Sequence, residues 1–309
     1  MSDAAPPAIR TEELAKRYGR ITALAGLTMS IPAGDVFGFL GPNGAGKTTA
    51  VKLLLGLARP SSGEGWVLGA ALSDQDAHRH ARRGVGYLPE LFRYQHWLSA
   101  REVLRVHCQL IGLDRSAWEA EMKDALGIVG LADRADDRVG GYSKGMQQRL
   151  GLGVALLGRP ALVLLDEPTS ALDPVGRHDV REVIRALKAR GTTVFLNSHL
   201  LTEVEQVCDR VAIVDKGRVI QVGALGELLV TDAVRVRATG LENGGQEAMR
   251  AFGALQHEGE WLTVQGITAE RVPDLVRAIV ERGGRVYAVE PRHETLEDRF
   301  LSLLDKPRA

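Results

Sequence analysis

The chain has 309 residues, 45% of them hydrophobic and 25% charged, and its 39 basic and 39 acidic side chains leave a formal net charge of zero. That length suits about two domains, each with a core of its own. A balanced charge supplies no overall basic field of the kind that holds nucleic acid. No apolar run approaches the roughly 18 to 20 residues that cross a bilayer. The start, Met1-Ser2-Asp3-Ala4-Ala5-Pro6-Pro7, has neither the basic residues nor the apolar stretch of a signal peptide. The chain is therefore expected to be soluble and cytoplasmic, and any membrane role needs a partner. Cys108 and Cys208 lie too far apart in sequence for a metal-type or redox-type pair, and are expected to be buried reduced thiols.

After the Pro/Ala lead, Leu14 to Gly19 and the apolar stretch Leu24 to Ile31 read as two β-rich segments, a small antiparallel layer leading into a nucleotide fold. Tyr18 is a candidate platform for stacking adenine; an ordinary half-buried strand tyrosine fits the same spacing. Val36-Phe37-Gly38-Phe39-Leu40 is a short buried strand. It runs into Gly41-Pro42-Asn43-Gly44-Ala45-Gly46-Lys47-Thr48-Thr49, after which Val51, Leu54, Leu55 and Ala58 form a helical stripe up to Pro60. Strand, G-x-x-x-x-G-K-T and helix together make a phosphate-binding loop. Its glycines let successive N–H groups turn inward, and the helix N-terminus adds partial positive charge. Lys47 reaches for the β- and γ-phosphates, and the Thr48 hydroxyl is a ligand for Mg²⁺.

Val85 to Leu88 is a strand that stops at Pro89-Glu90. Residues 91–158 read as a helical insert. Ser99-Ala100-Arg101-Glu102 is a capping box opening a helix with Val103, Val106, Leu110 and Ile111 on one face. A second helix carries Trp118, Met122, Leu126 and Val129. The aromatics Phe92, Tyr94 and Trp97 cluster at the start of the insert, either as a docking surface or as its packing. The insert closes on Gly140 to Arg149, where Ser143 stands before a helix with Met146, Leu150, Val154 and Leu157 on its apolar face; alone, this is a common kind of helix start.

Ala161 to Leu165 is a continuous apolar run, as in a central parallel strand, and ends at Asp166-Glu167. Two carboxylates at the end of a buried strand are costly unless each has work. Asp166 is placed to hold Mg²⁺ through water, and Glu167 to orient and deprotonate an attacking water. Ser170 to Pro174 turns into another helix. The strand Thr192 to Leu196 ends at Asn197-Ser198-His199; His199 suits a bond to a γ-phosphate oxygen or, equally, a helix cap. From about 232 the pattern becomes a small α+β domain: strands at Val234 to Arg237, Glu260 to Val264 and Arg285 to Val289, a helix with Val272, Leu275, Val276, Ile279 and Val280, and a last helix from Leu296 to Leu304. It shows no catalytic grouping.

In their order, these elements resemble the ATP-binding cassette (ABC) ATPases over residues 8–225, with 232–309 as an accessory domain. The resemblance implies an α/β P-loop NTPase core with an antiparallel β layer and a helical insert. Gly41 to Thr49 is similar to the Walker A loop, Leu162 to Asp166 to Walker B, Glu167 to the catalytic glutamate, Ser170 to Asp173 to the D-loop, and His199 to the switch histidine. Tyr18 matches the adenine-stacking aromatic. Tyr142-Ser143-Lys144-Gly145-Met146 occupies the signature site, normally Leu-Ser-Gly-Gly-Gln, with Ser143 and Gly145 kept and Lys144 and Met146 divergent. Glu90 stands in place of the Q-loop glutamine, where a carboxylate can still ligate Mg²⁺. These variants, together with Leu296-Glu297-Asp298 before Phe300-Leu301, resemble the ATPase subunits of drug and small-solute exporters.

What the resemblance implies is a motor subunit that uses ATP and Mg²⁺. Lys47, Glu167 and His199 would be its catalytic residues, and Asp173 of the D-loop a nucleotide neighbour. The signature of one subunit would close on the Walker A loop of a second, making two composite sites in a head-to-tail homodimer that drives a separate membrane permease. Nucleic acid is not expected as a partner. The competing reading is a soluble ABC ATPase acting on nucleic acid, ribosomes or a cytosolic assembly. Against it, Thr48 to Tyr142 leaves no room for a long coiled coil, no zinc-type cysteine set occurs, and there is one Walker A loop.

Overall fold

A computed structural model describes residues 6–170, 172–241, 244–293 and 295–304. The chain divides into two compact units, Met1–Leu225 and Gly226–Ala309.

The first unit opens with β1 (Ile9–Tyr18) and β2 (Ile21–Ile31), an antiparallel pair. The fully buried β3 (Val36–Leu40) then leads through the glycine-rich loop into α1 (Lys47–Leu54). Next come β4 (Ser62–Val67), β5 (Ala70–Ala71), α2 (Gln75–Ala81) and β6 (Val85–Leu88). Three helices follow, α3 (Ala100–Leu110), α4 (Trp118–Ile128) and α5 (Lys144–Ala155). The chain re-enters the sheet as β7 (Leu162–Asp166), crosses through α6 (Pro174–Ala189) to β8 (Thr193–Asn197), and through α7 (Leu201–Val207) to β9 (Arg210–Asp215) and β10 (Arg218–Ala224).

The strand order is β5-β4-β1-β2-β10-β9-β3-β8-β7-β6. Strands β9, β3, β8, β7 and β6 run parallel, and β4, β1 and β2 form the antiparallel layer beside them. This is an α/β sheet with an antiparallel layer at one side, as the resemblance implied. Parallel strands need crossovers, and the helices that supply them cover the sheet faces; hence β3, β7 and β8 are buried along their whole lengths. Phe37, Phe39 and Phe195 stack at the centre of that core, with ring centroids 5.2 to 6.2 Å apart.

Local signals explain the helix starts. Ser99 and Glu102 make both bonds of the capping box that opens α3. Ser143 caps α5, and Asp173 caps α6, which has Pro174 at its first position. Three expectations are corrected. The α1 stripe was expected to run to Ala58, but the helix stops at Leu54, two residues before Gly56 at φ 67°; Ala58 packs on the core from the following turn. On α3 the buried residues are Ala100, Val103, Leu104 and Cys108, while Val106, Leu110 and Ile111 face outward. Two apolar stripes compete on this helix, and the one with the smaller side chains fits between α4 and α5. On α5 burial reaches beyond one stripe to Gly151, Leu152, Gly153 and Ala155, because the glycines let Phe92 and Val129 close in.

A short helix α8 (Leu225–Leu228) leads into the second unit. That unit runs β11 (Val230–Thr239), α9 (Gly245–Arg250), β12 (Ala254–Glu258), β13 (Trp261–Gln265), α10 (Val272–Glu281), β14 (Arg285–His293) and α11 (Leu296–Leu304). Its antiparallel sheet has the order β12-β13-β11-β14, so β13 sits between the two strands joined through α9. This is the split βαβ arrangement of ferredoxin-like folds. Val234, Val236, Leu262 and Val264 of the sheet pack with Met249, Leu275 and Ile279 of the helices. Strand β12 and helix α9 were not foreseen in sequence; β12 is an exposed edge strand with no buried alternation to reveal it.

Candidate functional site

The glycine-rich loop leaves the C-terminal end of β3, which lies between β8 and β9. Open parallel sheets place their ligands at that end. Gly217 N donates to Ala45 O of the loop, and Gly217 O in turn accepts from Ala25 N of β2, each at 2.9 Å. Gly46 has φ 100°, and a Cβ there would fall 2.4 Å from Ala23 O; a Cβ on Gly41 would fall 2.4 Å from Val214 O. Only glycine fits at either position. No side chain caps the N-terminus of α1, so its first N–H groups are available to an anion. Pro42 is half-buried, and Asn43 and Gly44 form the exposed loop tip. Lys47 is buried and spans the loop, its Nζ donating to Gly41 O at 2.7 Å and Pro42 O at 3.3 Å. Burial pushes the Lys47 ammonium below the usual lysine range, and Glu167, Asp166 and Glu90 oppose that shift. Thr48 is exposed at the helix start, with Thr49 half-buried behind it.

Asp166 ends β7 with its side chain buried, and Asn197 Nδ2 donates to its Oδ1. Burial raises the Asp166 carboxyl above the ordinary carboxylate range; the Asn197 hydrogen bond opposes this, and the charge of Glu90 adds to it. Glu167 follows in the left-handed region at φ 53°, a strained conformation for a residue with a side chain. Its N–H donates to Asn197 O at 2.8 Å, and its Oε2 accepts from His199 Nδ1 at 2.7 Å and more weakly from His199 N at 3.4 Å. With the Nδ1 hydrogen given to Glu167, Nε2 offers a donor to a phosphate oxygen only when the ring carries both protons. His199 is thus bonded to Glu167, and does not serve as a helix cap. Glu90 is exposed just past β6.

Tyr18 ends β1 and is 46% exposed, and the Lys16 ammonium sits 4.9 Å from its ring centroid. Ser143, Gly145 and Asp173 gather elsewhere: with Met146, Leu172 and Gly176 they line a cavity of about 360 Å³ to which none of Lys47, Asp166, Glu167 and His199 contributes. In that cavity Ser143 Oγ accepts from Met146 N at 3.2 Å, and Asp173 Oδ1 accepts from Gly176 N at 2.8 Å. The proposed D-loop includes Ala171, which lies outside the described residues. The structure therefore gathers Lys47, Glu90, Asp166, Glu167 and His199 at the phosphate loop and Ser143, Gly145 and Asp173 at the signature, while Tyr18 stands at the end of β1.

Among the described residues no three His, Cys, Asp or Glu side chains converge on a cation position. The Thr48 hydroxyl and the Asp166 carboxylate are donors that would suit Mg²⁺, a cation that binds through one or two carboxylates plus substrate phosphates. Asn197 was missed in sequence: its role depends on a neighbour 31 residues away across a parallel ladder, which no local pattern displays.

Residues 24–170 match the ABC transporter family. The chain is 38% identical to an uncharacterized ABC transporter ATP-binding protein of Nostoc sp., over 97% of this chain and 91% of that one. It belongs to the ABC transporter ATP-binding protein family. A Nod factor export ATP-binding protein I of Burkholderia orbicola is 40% identical, with 70% of this chain and 71% of that one covered. Among solved structures, an ATP-binding subunit of an ABC transporter superposes with a TM-score of 0.64 at 30% identity, covering 72% of this chain and 91% of that chain. The subunit thus carries the ATP-binding domain of its family. Among the described residues no helix is long and apolar enough to cross a membrane.

Proposed function

We propose that the chain is the ATP-hydrolysing motor subunit of an exporter, acting on a separate membrane permease from the cytoplasmic side. The observation that carries hydrolysis is the pair at the end of β7. Asp166 is braced by Asn197 beside a loop built for phosphates, and Glu167, strained at φ 53°, is bonded through its N–H to Asn197 O and through its carboxylate to His199. ATP lies on the loop, with Lys47 at its terminal phosphates and Tyr18 at adenine. Glu167 accepts the proton of the attacking water, and His199 steadies Glu167. Bound Mg²⁺ would neutralise developing charge on the phosphates.

Two features support composite sites in a head-to-tail homodimer. Ser143 and Gly145 form a group apart from the phosphate loop, at the N-terminus of α5. A Cβ on Gly145 would meet nothing closer than Ser143 Oγ at 4.0 Å, so packing within the chain makes no demand for glycine there. A γ-phosphate brought by a second copy does, since it must approach the backbone closely. Export is supported by the Nod factor relative.

The helical insert supplies the permease contact. Of the three clustered aromatics, Phe92 and Tyr94 pack inward, with ring centroids 5.3 Å apart and Tyr94 edge-on to His107 at 5.7 Å. Trp97 is 70% exposed, and Leu110, at 73%, and Ile111 belong to the uncovered stripe of α3. Exposed large apolar side chains concentrated on one subdomain mark an interaction surface. Trp97→Ala is expected to leave melting temperature and basal ATPase unchanged while weakening membrane association about 30-fold, as for the loss of an interface anchor worth about 2 kcal/mol. Recovery of the subunit with the membrane pellet measures this. Unchanged recovery, or a lowered melting temperature, would remove Trp97 from the docking surface.

A further inference from the structure

Asn197 is the last residue of β8 and stands in register beside Asp166, the last residue of β7. It is 2% exposed. Its amide orientation follows from chemistry: an ionised carboxylate only accepts, so the nitrogen must be the atom facing Asp166. The backbone carbonyl of the same residue accepts from Glu167 N at 2.8 Å. One side chain and its own main chain therefore fix both acidic residues of the site.

The other half of the amide is unspent. Asn197 Oδ1 is buried and takes no hydrogen bond from the described protein atoms, as is Thr169 Oγ1, two residues beyond Glu167. A buried acceptor left without a donor is destabilising. The neighbouring strand residues Val194, Phe195 and Leu196 are all apolar and buried, so an apolar side chain would satisfy packing at 197 without that cost. The amide is explained by what it does to Asp166. It holds one carboxylate oxygen, which would leave the other to a cation.

We propose that Asn197 is a positioning residue that fixes Asp166 for Mg²⁺, acting through Asp166 without touching the metal. This rests on the reading of Asp166 as the residue that holds Mg²⁺ beside ATP. Outer partners of metal ligands typically contribute 10- to 100-fold in metal affinity or activity.

The test is a titration of Mg²⁺ into full-length Glu167→Gln protein with a fluorescent mant-ATP probe, so that binding is read without turnover. Adding Asn197→Leu, close in volume, is expected to raise the Mg²⁺ concentration at half-maximal probe binding 10- to 100-fold. Probe binding in EDTA and the melting temperature should stay at the parent's values. Asn197→Ser, which keeps a shorter donor, is expected to fall between the two. An unmoved Mg²⁺ midpoint in a parent that binds the probe overturns this inference alone. A shift matched by equal loss of probe binding in EDTA and a lower melting temperature in both variants also overturns it, in favour of a packing role. A parent that binds no probe at all overturns the ATP-site reading and this inference together.

Discussion

Glu167→Gln is expected to lower ATP turnover about 10²- to 10⁴-fold, the usual contribution of a positioned base, while leaving ATP binding intact. That loss corresponds to about 3 to 5 kcal/mol of transition-state stabilisation. The separation of effects follows from the geometry. Glutamine keeps an oxygen that accepts from His199 Nδ1, and its backbone is as able as that of glutamate to hold φ 53° with its N–H on Asn197 O. What it loses is the negative charge that takes a proton from water. The phosphate loop keeps its own hydrogen bonds, those of Lys47 Nζ to Gly41 O and Pro42 O among them. Steady-state phosphate release and equilibrium ATP binding on the same preparation measure the two quantities. Turnover at the wild-type rate would exclude Glu167 as the base.

Lys47→Ala should act on binding. Lys47 is buried, its charge is disfavoured by desolvation and favoured by the charges of Glu167, Asp166 and Glu90, and two loop carbonyls accept from its Nζ. A phosphate group offers that ammonium a stronger partner than either carbonyl. Charge-assisted hydrogen bonds contribute about 1.5–3 kcal/mol, so removing the side chain is expected to weaken ATP binding about 10- to 100-fold or more. Isothermal titration with ATP measures it. Unchanged affinity would mean that the loop N–H groups carry the phosphates alone.

The parts of this site that were readable in sequence are those written in consecutive residues. The apolar run Val36 to Leu40 followed by the glycine loop, and the run ending at Asp166-Glu167, each place a functional group at a strand end by local pattern alone. Ser99 and Glu102 announced α3 in the same way. What was hidden depends on distance or on competition. The buried face of α3 was misread because two apolar stripes share one helix and only the neighbouring helices choose between them. Helix α7 buries Glu203 against Arg181 at 2.7 Å, so an inward-facing charge masks its periodicity. Asn197 looks like a loop residue until β8 is laid beside β7. Phe92, Tyr94 and Trp97 looked alike, and only packing separates the first two from the third.

The central claim is that one active site is assembled from two copies of the chain. Light scattering of the Glu167→Gln protein with and without ATP tests it most directly. The account predicts a monomer of 33.4 kDa without ATP, a particle of twice that mass with it, and a return to monomer when Ser143→Arg is added. An ATP-dependent dimer that forms equally well with Ser143→Arg, or no dimer at any ATP concentration, would contradict it.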